Sequence, residues 1–187
     1  LQDRVLDSTG NLGTVVDVGC GTGTFAIDLA ATAPKVEVIG IDGDPDVLEV
    51  AKGKSGSEGV SWRCGLAGDL AMPDSSVDAV TMSLLLHHLA PSAKHAALSD
   101  AFRVLKPEGR LHIADWGQPH DPLMRGAFLL LQCLDGFDNT RDHAAGRLPM
   151  FVREANFGNV TSYERLRTVW GTLELIEASK APAPGAA

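Results

Sequence analysis

Val15-Val16-Asp17-Val18-Gly19-Cys20-Gly21-Thr22-Gly23-Thr24 is the stretch that decides the fold of this 187-residue chain. Its apolar residues and its acid run directly into glycines at alternate positions, which is typical of a buried strand that ends in a tight turn. Because glycine has no side chain, a ligand can lie against the backbone of such a turn. The stretch therefore predicts a cofactor-binding loop after the first strand.

The spacing of the glycines, together with a second acid, indicates a nucleoside site. A dinucleotide fingerprint would place its third glycine at position 24, which is Thr24, whereas the third glycine here is Gly23. Asp42 follows the next apolar run, residues 36–41. An acid at the end of that strand can accept hydrogen bonds from both hydroxyls of a ribose. The loop is not followed by a phosphate-binding lysine, and the sequence lacks a Walker pattern.

Length and composition favour one domain. A chain of this length with 44% hydrophobic residues can bury a sizeable core, and we expect a single domain over residues 1–180 and a disordered tail over residues 181–187. The net charge of −8 argues against a general affinity for nucleic acid or anionic lipid. Three cysteines at unrelated positions suit a reducing compartment, and we see neither a membrane span nor a secretory signal, so we expect a cytoplasmic location.

Strand and helix signals alternate along the chain, which favours a parallel sheet with helices on both faces. Five strands are expected at residues 14–18, 36–41, 60–64, 78–82 and 111–114. Helices are expected after the glycines, after Asp44-Pro45, and at residues 93–105, 123–134 and 149–155. The last two apolar runs, 160–166 and 169–176, leave no room for a crossover helix. They are therefore predicted to form an antiparallel hairpin.

Five motifs in sequence order resemble those of the class I S-adenosylmethionine-dependent methyltransferases, within the ubiquinone/menaquinone methyltransferase-like (type 11) branch. They are Val16-Asp17-Val18-Gly19-Cys20-Gly21-Thr22-Gly23, Gly40-Ile41-Asp42, Asp69-Leu70 with Pro73-Asp74-Ser75-Ser76-Val77-Asp78, Leu86-His87-His88-Leu89, and Arg103-Val104-Leu105-Lys106-Pro107-Glu108-Gly109-Arg110-Leu111. The resemblance implies an α/β, Rossmann-like fold: a seven-stranded, mostly parallel sheet with a reversed C-terminal strand. It also implies methyl transfer from S-adenosylmethionine to a small, rather apolar acceptor.

Carried over residue by residue, the resemblance also implies a cofactor site on four loops. The site residues are Asp17, Gly19, Cys20, Gly21, Thr22, Gly23, Asp42, Gly43, Asp44, Leu66, Ala67, Ser83 and Leu84. The glycine loop takes the methionyl part, Asp42 the ribose, and Ser83 and Leu84 border both cofactor and acceptor. Leu66 stands where the family has an acid that accepts from the adenine amino group. Since leucine cannot accept, either Asp69 replaces that acid or the amino group faces water.

The expected reaction needs few side chains. The cofactor carries an activated methyl group, so the enzyme chiefly aligns the acceptor and excludes water, without a metal. A base is needed only if the acceptor must lose a proton, and His88, just past the fourth strand, is our candidate. Adjacent side chains diverge, so at most one of His87 and His88 faces the site. Capping or packing is the alternative for both.

Further candidates lie downstream. Asp115 and Trp116, just past the fifth strand, line the acceptor pocket or belong to an ordinary loop. The apolar segment 122–134 is read as a lid over an apolar small molecule, with core packing or a homodimer contact as alternatives. His112 alternates with apolar neighbours and is expected in the core.

Two other classes of function stay open at this point. A nicotinamide-dependent oxidoreductase would need Tyr163 to begin a Tyr-x-x-x-Lys pair, but position 167 is Arg167. A non-catalytic, cofactor-binding or partner-regulating module is conceivable because residues 1–13 leave little room for the helix that family members carry before the first strand. Amino methylation of nucleic acid is disfavoured, because residues 83–86 lack an Asn/Asp-Pro-Pro-aromatic pattern.

Overall fold

Seven strands form one sheet in the computed structural model, which describes residues 1–9 and 13–182. The strands are β1 (Gly13–Val18), β2 (Val36–Asp42), β3 (Val60–Cys64), β4 (Val77–Ser83), β5 (Leu105–Trp116), β6 (Gly158–Arg167) and β7 (Thr172–Ser179). Their order is β3-β2-β1-β4-β5-β7-β6. Strands β1 to β5 pair in parallel, and β7 is antiparallel to both β5 and β6. The predicted Rossmann-like sheet with a reversed C-terminal strand is confirmed.

Helices connect the strands. They are α1 (Gln2–Thr9), α2 (Thr24–Thr32), α3 (Pro45–Lys52), α4 (Pro91–Val104), α5 (Pro122–Asp135), α6 (Phe137–Ala144) and α7 (Leu148–Glu154). Prolines open α3, α4 and α5, where a missing backbone N–H costs nothing. The Asp44 carboxylate caps α3 by accepting from the N–H of Asp46 at 2.9 Å. Within the described ranges, no helix is long and apolar enough to cross a membrane.

Two apolar cores, one on each face of the sheet, follow from the alternation of side chains along β1. Val15 packs with Val5 of α1 and Leu29 of α2. Its neighbour Val16 packs on the other face, with Leu98 of α4. Both faces are therefore covered by helices, and residues that contact a ligand must come from the ends of the strands.

The strand order reverses between β1 and β4, because β2 and β3 lie on one side of β1 while β4 and β5 lie on the other. In open α/β sheets, ligands bind at the carboxyl ends of the strands where the order reverses. The glycine loop after β1 and the segment after β4 meet at this edge.

Two helices and several boundaries differ from the sequence prediction. Strand β5 spans Leu105–Trp116 rather than residues 111–114, so Asp115 and Trp116 lie inside the strand and not just past it. Neither α1 nor α6 was predicted, because each has few apolar residues and its polar side chains are satisfied by tertiary contacts. The last strand begins at Thr172 rather than at residue 169, since Gly171, with φ +149°, closes a turn over residues 168–171. The hairpin itself forms as predicted. Residues 183–187 of the predicted tail lie outside the described residues, and the single domain stays a prediction.

Candidate active site

The three glycines after β1 all have left-handed backbone angles, with φ of 68° at Gly19, 54° at Gly21 and 74° at Gly23. Their surroundings differ. A Cβ atom at Gly19 would lie 2.6 Å from Leu85, and one at Gly23 would lie 2.3 Å from the ring of Trp62. A Cβ atom at Gly21 would have no atom within 4 Å. Gly19 and Gly23 are therefore required by packing, and Gly21 alone of the three presents open backbone.

The Asp42 carboxylate at the end of β2 joins this open backbone to the next loop. One of its oxygens accepts from the N–H of Gly21 at 2.8 Å, and the other accepts from the N–H of Asp44 at 3.0 Å. A carboxylate offers about four acceptor positions, so each oxygen retains capacity for a ligand hydroxyl. Asp42 is half-buried, which leaves it within reach of a ligand. The two elements that the sequence analysis singled out first are thus in direct contact.

Asp17 lies beneath the glycine loop and is fully buried. Thr81 of β4 donates a hydrogen bond of 2.6 Å to its carboxyl group. Burial raises the pKa of Asp17 to about 7, against the lowering effect of the Thr81 hydrogen bond and with a further increase from the negative charge of Asp42. A positively charged ligand nearby would favour the ionised form of Asp17.

A cavity of about 310 Å³ lies at the ends of β2 and β3, where Ile41 and Cys64 line it. Leu66 and Asp69 both line it, and the N–H of Asp69 donates to the carbonyl of Leu66 at 3.0 Å. Asp69 therefore lines the same cavity as Leu66, and its role as the acceptor for the adenine amino group stays a prediction. Gly43 lies under the Leu66 side chain, and Ala67 packs against the core.

The segment after β4 supplies the opposite wall. The Ser83 hydroxyl is buried and has no hydrogen-bond partner within the described part of the chain. Leu84 is half-exposed and has φ of 51°, a conformation that is costly for a residue with a side chain. Its N–H donates to the carbonyl of Ala114 at 2.8 Å, which fixes the turn to β5. Strained backbone of this kind is concentrated at functional sites.

Asp115 and His87 form a buried pair behind this wall. His87 Nδ1 lies 2.6 Å from Asp115 Oδ1, and the backbone N–H groups of Leu86, His87 and Trp116 also donate to the carboxylate. Burial alone would raise the pKa of Asp115. The His87 hydrogen bond and the neighbouring imidazoles have a larger, opposite effect, so the pKa of Asp115 lies below its usual value. Asp115 is therefore an ionised anchor that holds the segment after β4.

The two adjacent histidines differ in burial, but their side chains do not diverge as the sequence prediction expected, because the two rings are in contact. His87 is buried, whereas His88 is exposed, and their ring centroids are 3.9 Å apart. The carbonyl of His88 accepts from the Asn139 side chain at 3.0 Å, which ties α6 to this segment. The assignment of His88 as the base stays a prediction.

Several supporting residues were missed by the sequence analysis. Lys54 donates to the hydroxyls of Thr22 and Thr24 at 2.8 and 2.9 Å and so holds the outside of the glycine loop. Trp62 fills the space behind Gly23, and its indole N–H donates to the carbonyl of Ser57 at 3.1 Å. Both are brought to the loop by tertiary packing. No sequence pattern near the glycines could have identified them.

The remaining candidates are placed as follows. Burial raises the pKa of the Cys20 thiol to about 12, which keeps the thiol neutral and makes it a packing group.

His112 is buried in β5 and forms a hydrogen bond of 3.1 Å with Ser8 of α1, in agreement with its predicted core position. In α5, Met124 and Phe128 are buried and Leu129 is exposed, and Phe128 packs against Gly171. Tyr163 lies under the Arg4 guanidinium, 4.4 Å from the ring centroid, and gives no support to an oxidoreductase site.

The site residues fit a small, positively charged nucleoside. Four features lie along one edge of the sheet: the open backbone at Gly21, the ionisable acid Asp17 beneath it, the Asp42 carboxylate with free acceptor capacity, and the Ser83 hydroxyl, which has no partner in the described part of the chain. These are the features that S-adenosylmethionine, with its ribose hydroxyls and cationic sulfonium, would engage.

Comparison with known proteins supports this conclusion. The family model described as "Methyltransferase domain" matches residues 15–109, just over half of the chain. A demethylmenaquinone methyltransferase of Deinococcus radiodurans is 39% identical over 118 residues, which is 62% of this chain and 48% of that protein. One from Thermus thermophilus is 36% identical over 119 residues, 63% of this chain and 51% of that protein. The chain spans about half the length of the curated relatives it matches.

A solved S-adenosylmethionine-dependent methyltransferase from Methanosarcina mazei superposes with a TM-score of 0.75 at 22% identity, over 98% of this chain and 99% of that one. At this identity the likeness shows the fold alone. Fold, motifs and family match together define a class I S-adenosylmethionine-dependent methyltransferase, as the motifs predicted. The chain belongs to the methyltransferase domain family.

Proposed function

We propose that this chain transfers a methyl group from S-adenosylmethionine to a small acceptor at the carboxyl edge of β1 and β4. The observation that carries the proposal is the hydrogen bond between Asp42 and the N–H of Gly21, which couples the ribose-binding acid to the one open glycine. When bound, the cofactor supplies a methyl group already activated by a positively charged sulfur.

The residues of the chain bind the cofactor and orient the methyl acceptor. Asp42 accepts from the ribose hydroxyls while its backbone donors keep the carboxylate in position. Asp17 lies beneath the loop, where its carboxylate balances the positive charge of the ligand. Ser83 and the strained Leu84 form the wall against which the acceptor is aligned. Alignment and exclusion of water then provide most of the rate enhancement.

We propose a quinone-type or phenolic small molecule as the acceptor. The support is that the Deinococcus and Thermus relatives are named as demethylmenaquinone methyltransferases, together with the apolar character of α5. An aromatic ring with one polar substituent is the kind of ligand that apolar segments such as α5 accommodate in small-molecule sites.

The proposal is tested in two steps. Thermal unfolding is measured with S-adenosylmethionine, S-adenosylhomocysteine and the nicotinamide dinucleotides, because a ligand that binds the folded state raises the Tm. We expect a rise with the first two and none with the dinucleotides. Transfer of labelled methyl from the cofactor is then measured with naphthohydroquinones, phenols, amines and thiols. A Tm that responds only to the dinucleotides, or the lack of transfer to any hydroquinone or phenol, would contradict it.

A further inference from the structure

His143, on α6, carries a buried polar atom that the proposed cofactor site does not use. Its Nδ1 lies 2.6 Å from the carbonyl oxygen of Trp116, at the end of β5. A carbonyl only accepts, so Nδ1 carries the hydrogen and Nε2 carries the lone pair. That Nε2 is buried and has no hydrogen-bond partner among the groups that the structure describes.

The imidazole of His143 is held in this state by its surroundings. Burial lowers its pKa, which the charge of Asp115 opposes and the charge of Lys94 reinforces. The charged and titratable groups that act on it are Asp115 from β5, His87 from the turn after β4 and Lys94 from α4, and Lys94 in turn lies 3.8 Å from Asp142 of α6. At neutral pH the ring is therefore uncharged, with one tautomer fixed and one basic nitrogen, Nε2, that is buried and without a donor in the described part of the chain.

The position of His143 connects it to the acceptor wall. Its ring centroid is 6.2 Å from that of His87, whose Nδ1 is fixed by Asp115. The hydroxyl of Ser83, the last residue of β4, is another buried polar atom without a hydrogen-bond partner in the described part of the chain, and Ser83 pairs in register with Ala114. A buried acceptor without a donor is costly, and a catalytic role is one of the explanations for such an exception, beside strain or a bound water or ion.

We propose that His143 Nε2 accepts the proton from a hydroxyl group of the methyl acceptor, so that the substrate is a phenol or hydroquinone. This inference rests on the proposed function. In the step, the O–H bond of the acceptor breaks and its proton goes to Nε2. An oxygen lone pair forms the bond to the methyl carbon, and the carbon–sulfur bond breaks with its electron pair going to sulfur.

The chemistry of the cluster favours a hydroxyl over an amine. Lys94 is fully buried, and its ammonium donates to the carbonyl of Asn139 and lies 3.8 Å from Asp142. A protonated amine would add a second cation to this buried cluster, whereas a neutral hydroxyl would not. A hydroxyl also provides the one donor that Nε2 lacks. His87 and Asp115 act as positioning residues, because they hold the segment that carries Ser83.

The test uses 4-nitrophenol as the probe, since its absorbance distinguishes the phenol from the phenolate. The intact chain, saturated with S-adenosylhomocysteine, is titrated with the probe as wild type, as His143→Asn and as His112→Asn. Asparagine at 143 retains a donor for the Trp116 carbonyl but lacks Nε2. His112 is the matched control, because it is also buried with an unpartnered ring nitrogen but bonds α1.

We expect the wild type and His112→Asn to bind the probe as phenolate. His143→Asn should bind it at least about tenfold more weakly and as the neutral phenol, as the loss of a charge-assisted hydrogen bond predicts. Equal affinity and equal spectra in wild type and His143→Asn would overturn the proposal, as would a wild type that binds no phenol. A loss found in His88→Asn but not in His143→Asn would assign the proton to His88 instead.

A second measurement does not depend on the variant folding. In ¹⁵N-histidine NMR spectra of the wild type, His143 should show the neutral Nδ1–H tautomer, and its Nε2 signal should move when the probe is added. An Nε2 signal that is unchanged at saturating probe would overturn the proposal. Calorimetry with S-adenosylhomocysteine alone reports on the cofactor site. A failure of the proposed function is thereby distinguished from a failure of this inference.

Discussion

The carboxylate of Asp42 accepts a 2.8 Å hydrogen bond from the backbone N–H of Gly21, 21 residues earlier in the chain. The contact links the ends of β1 and β2 before any ligand binds. It fixes the orientation of the carboxylate and the left-handed conformation of the glycine together. The ribose-binding group is thus preorganised, which reduces the entropic cost of binding.

Replacing Asp42 by Ala should weaken the binding of S-adenosylhomocysteine by about 2 to 3 kcal/mol, because charge-assisted hydrogen bonds to two hydroxyls are lost. Calorimetric titration measures the difference. Asp46→Asn is the control, since Asp46 is an exposed acid four residues further along that lies on α3. Unchanged affinity in Asp42→Ala would show that the ribose binds elsewhere.

Substitutions at two of the glycines should separate binding from folding. Gly21→Asn places a side chain into open space, and Asn tolerates the left-handed conformation, so the fold should persist while cofactor binding is lost. Gly23→Ala collides with Trp62 and Ala51, and we expect its unfolding free energy to fall by about 2 kcal/mol or more. Urea unfolding and calorimetry on both variants measure the two effects. Normal binding by Gly21→Asn would make the loop a structural turn only.

Ionisation of Asp17 should make stability depend on pH in a defined direction. Its pKa is raised from 3.8 to about 7, so between these values the unfolded chain loses the proton while the folded chain retains it. The contribution of Asp17 to stability is therefore full below pH 3.8 and falls as pH rises to 7. Asp17→Asn, which still accepts from Thr81, should remove this slope.

The measurement for Asp17 is the unfolding free energy of wild type and Asn variant across this pH range. The unfolding free energy of the variant minus that of the wild type should become more positive as pH rises. A difference that is constant with pH would mean that the carboxyl group titrates normally.

Asp69 should determine the preference for adenine. If its carboxylate accepts from the adenine amino group, Asp69→Asn should lower the affinity for S-adenosylhomocysteine by about 1 to 3 kcal/mol. The same variant should gain affinity for S-inosylhomocysteine, which has a carbonyl oxygen at that position and can accept from the asparagine amide. Calorimetry with both ligands tests the exchange of preference. Parallel changes for the two ligands would show that the amino group faces water.

Asp115→Asn should destabilise the fold by about 3 kcal/mol. The Asp115 carboxylate accepts four hydrogen bonds in the interior, whereas the NH₂ group of an asparagine would face some of the same donors and could not accept from them. Asp138→Asn, on the exposed side of α6, is the control for a change of charge. Denaturant unfolding gives both values, and a cost below about 1 kcal/mol for Asp115→Asn would contradict the anchoring role.

The parts that were predictable from sequence are those fixed by local pattern. The β1 loop, the position of Asp42 at the end of β2 and the reversed last strand each depend on residues close together in the chain. Lys54 and Trp62 were not predictable from sequence, because they reach the glycine loop through packing. His143, which we propose as a base, was not predictable because it lies on a helix without an apolar pattern. The pairing of His87 rather than His88 with Asp115 depends on the turn after β4, which the sequence does not specify.

The central claim is that Asp42 and Gly21 form the cofactor site, and a crystal structure of the chain with S-adenosylhomocysteine tests it most directly. We predict that both ribose hydroxyls lie within hydrogen-bond distance of the Asp42 carboxylate and that the ligand passes over the backbone of Gly21. A ligand bound at another edge of the sheet, with Asp42 still holding only its two backbone donors, would contradict the claim.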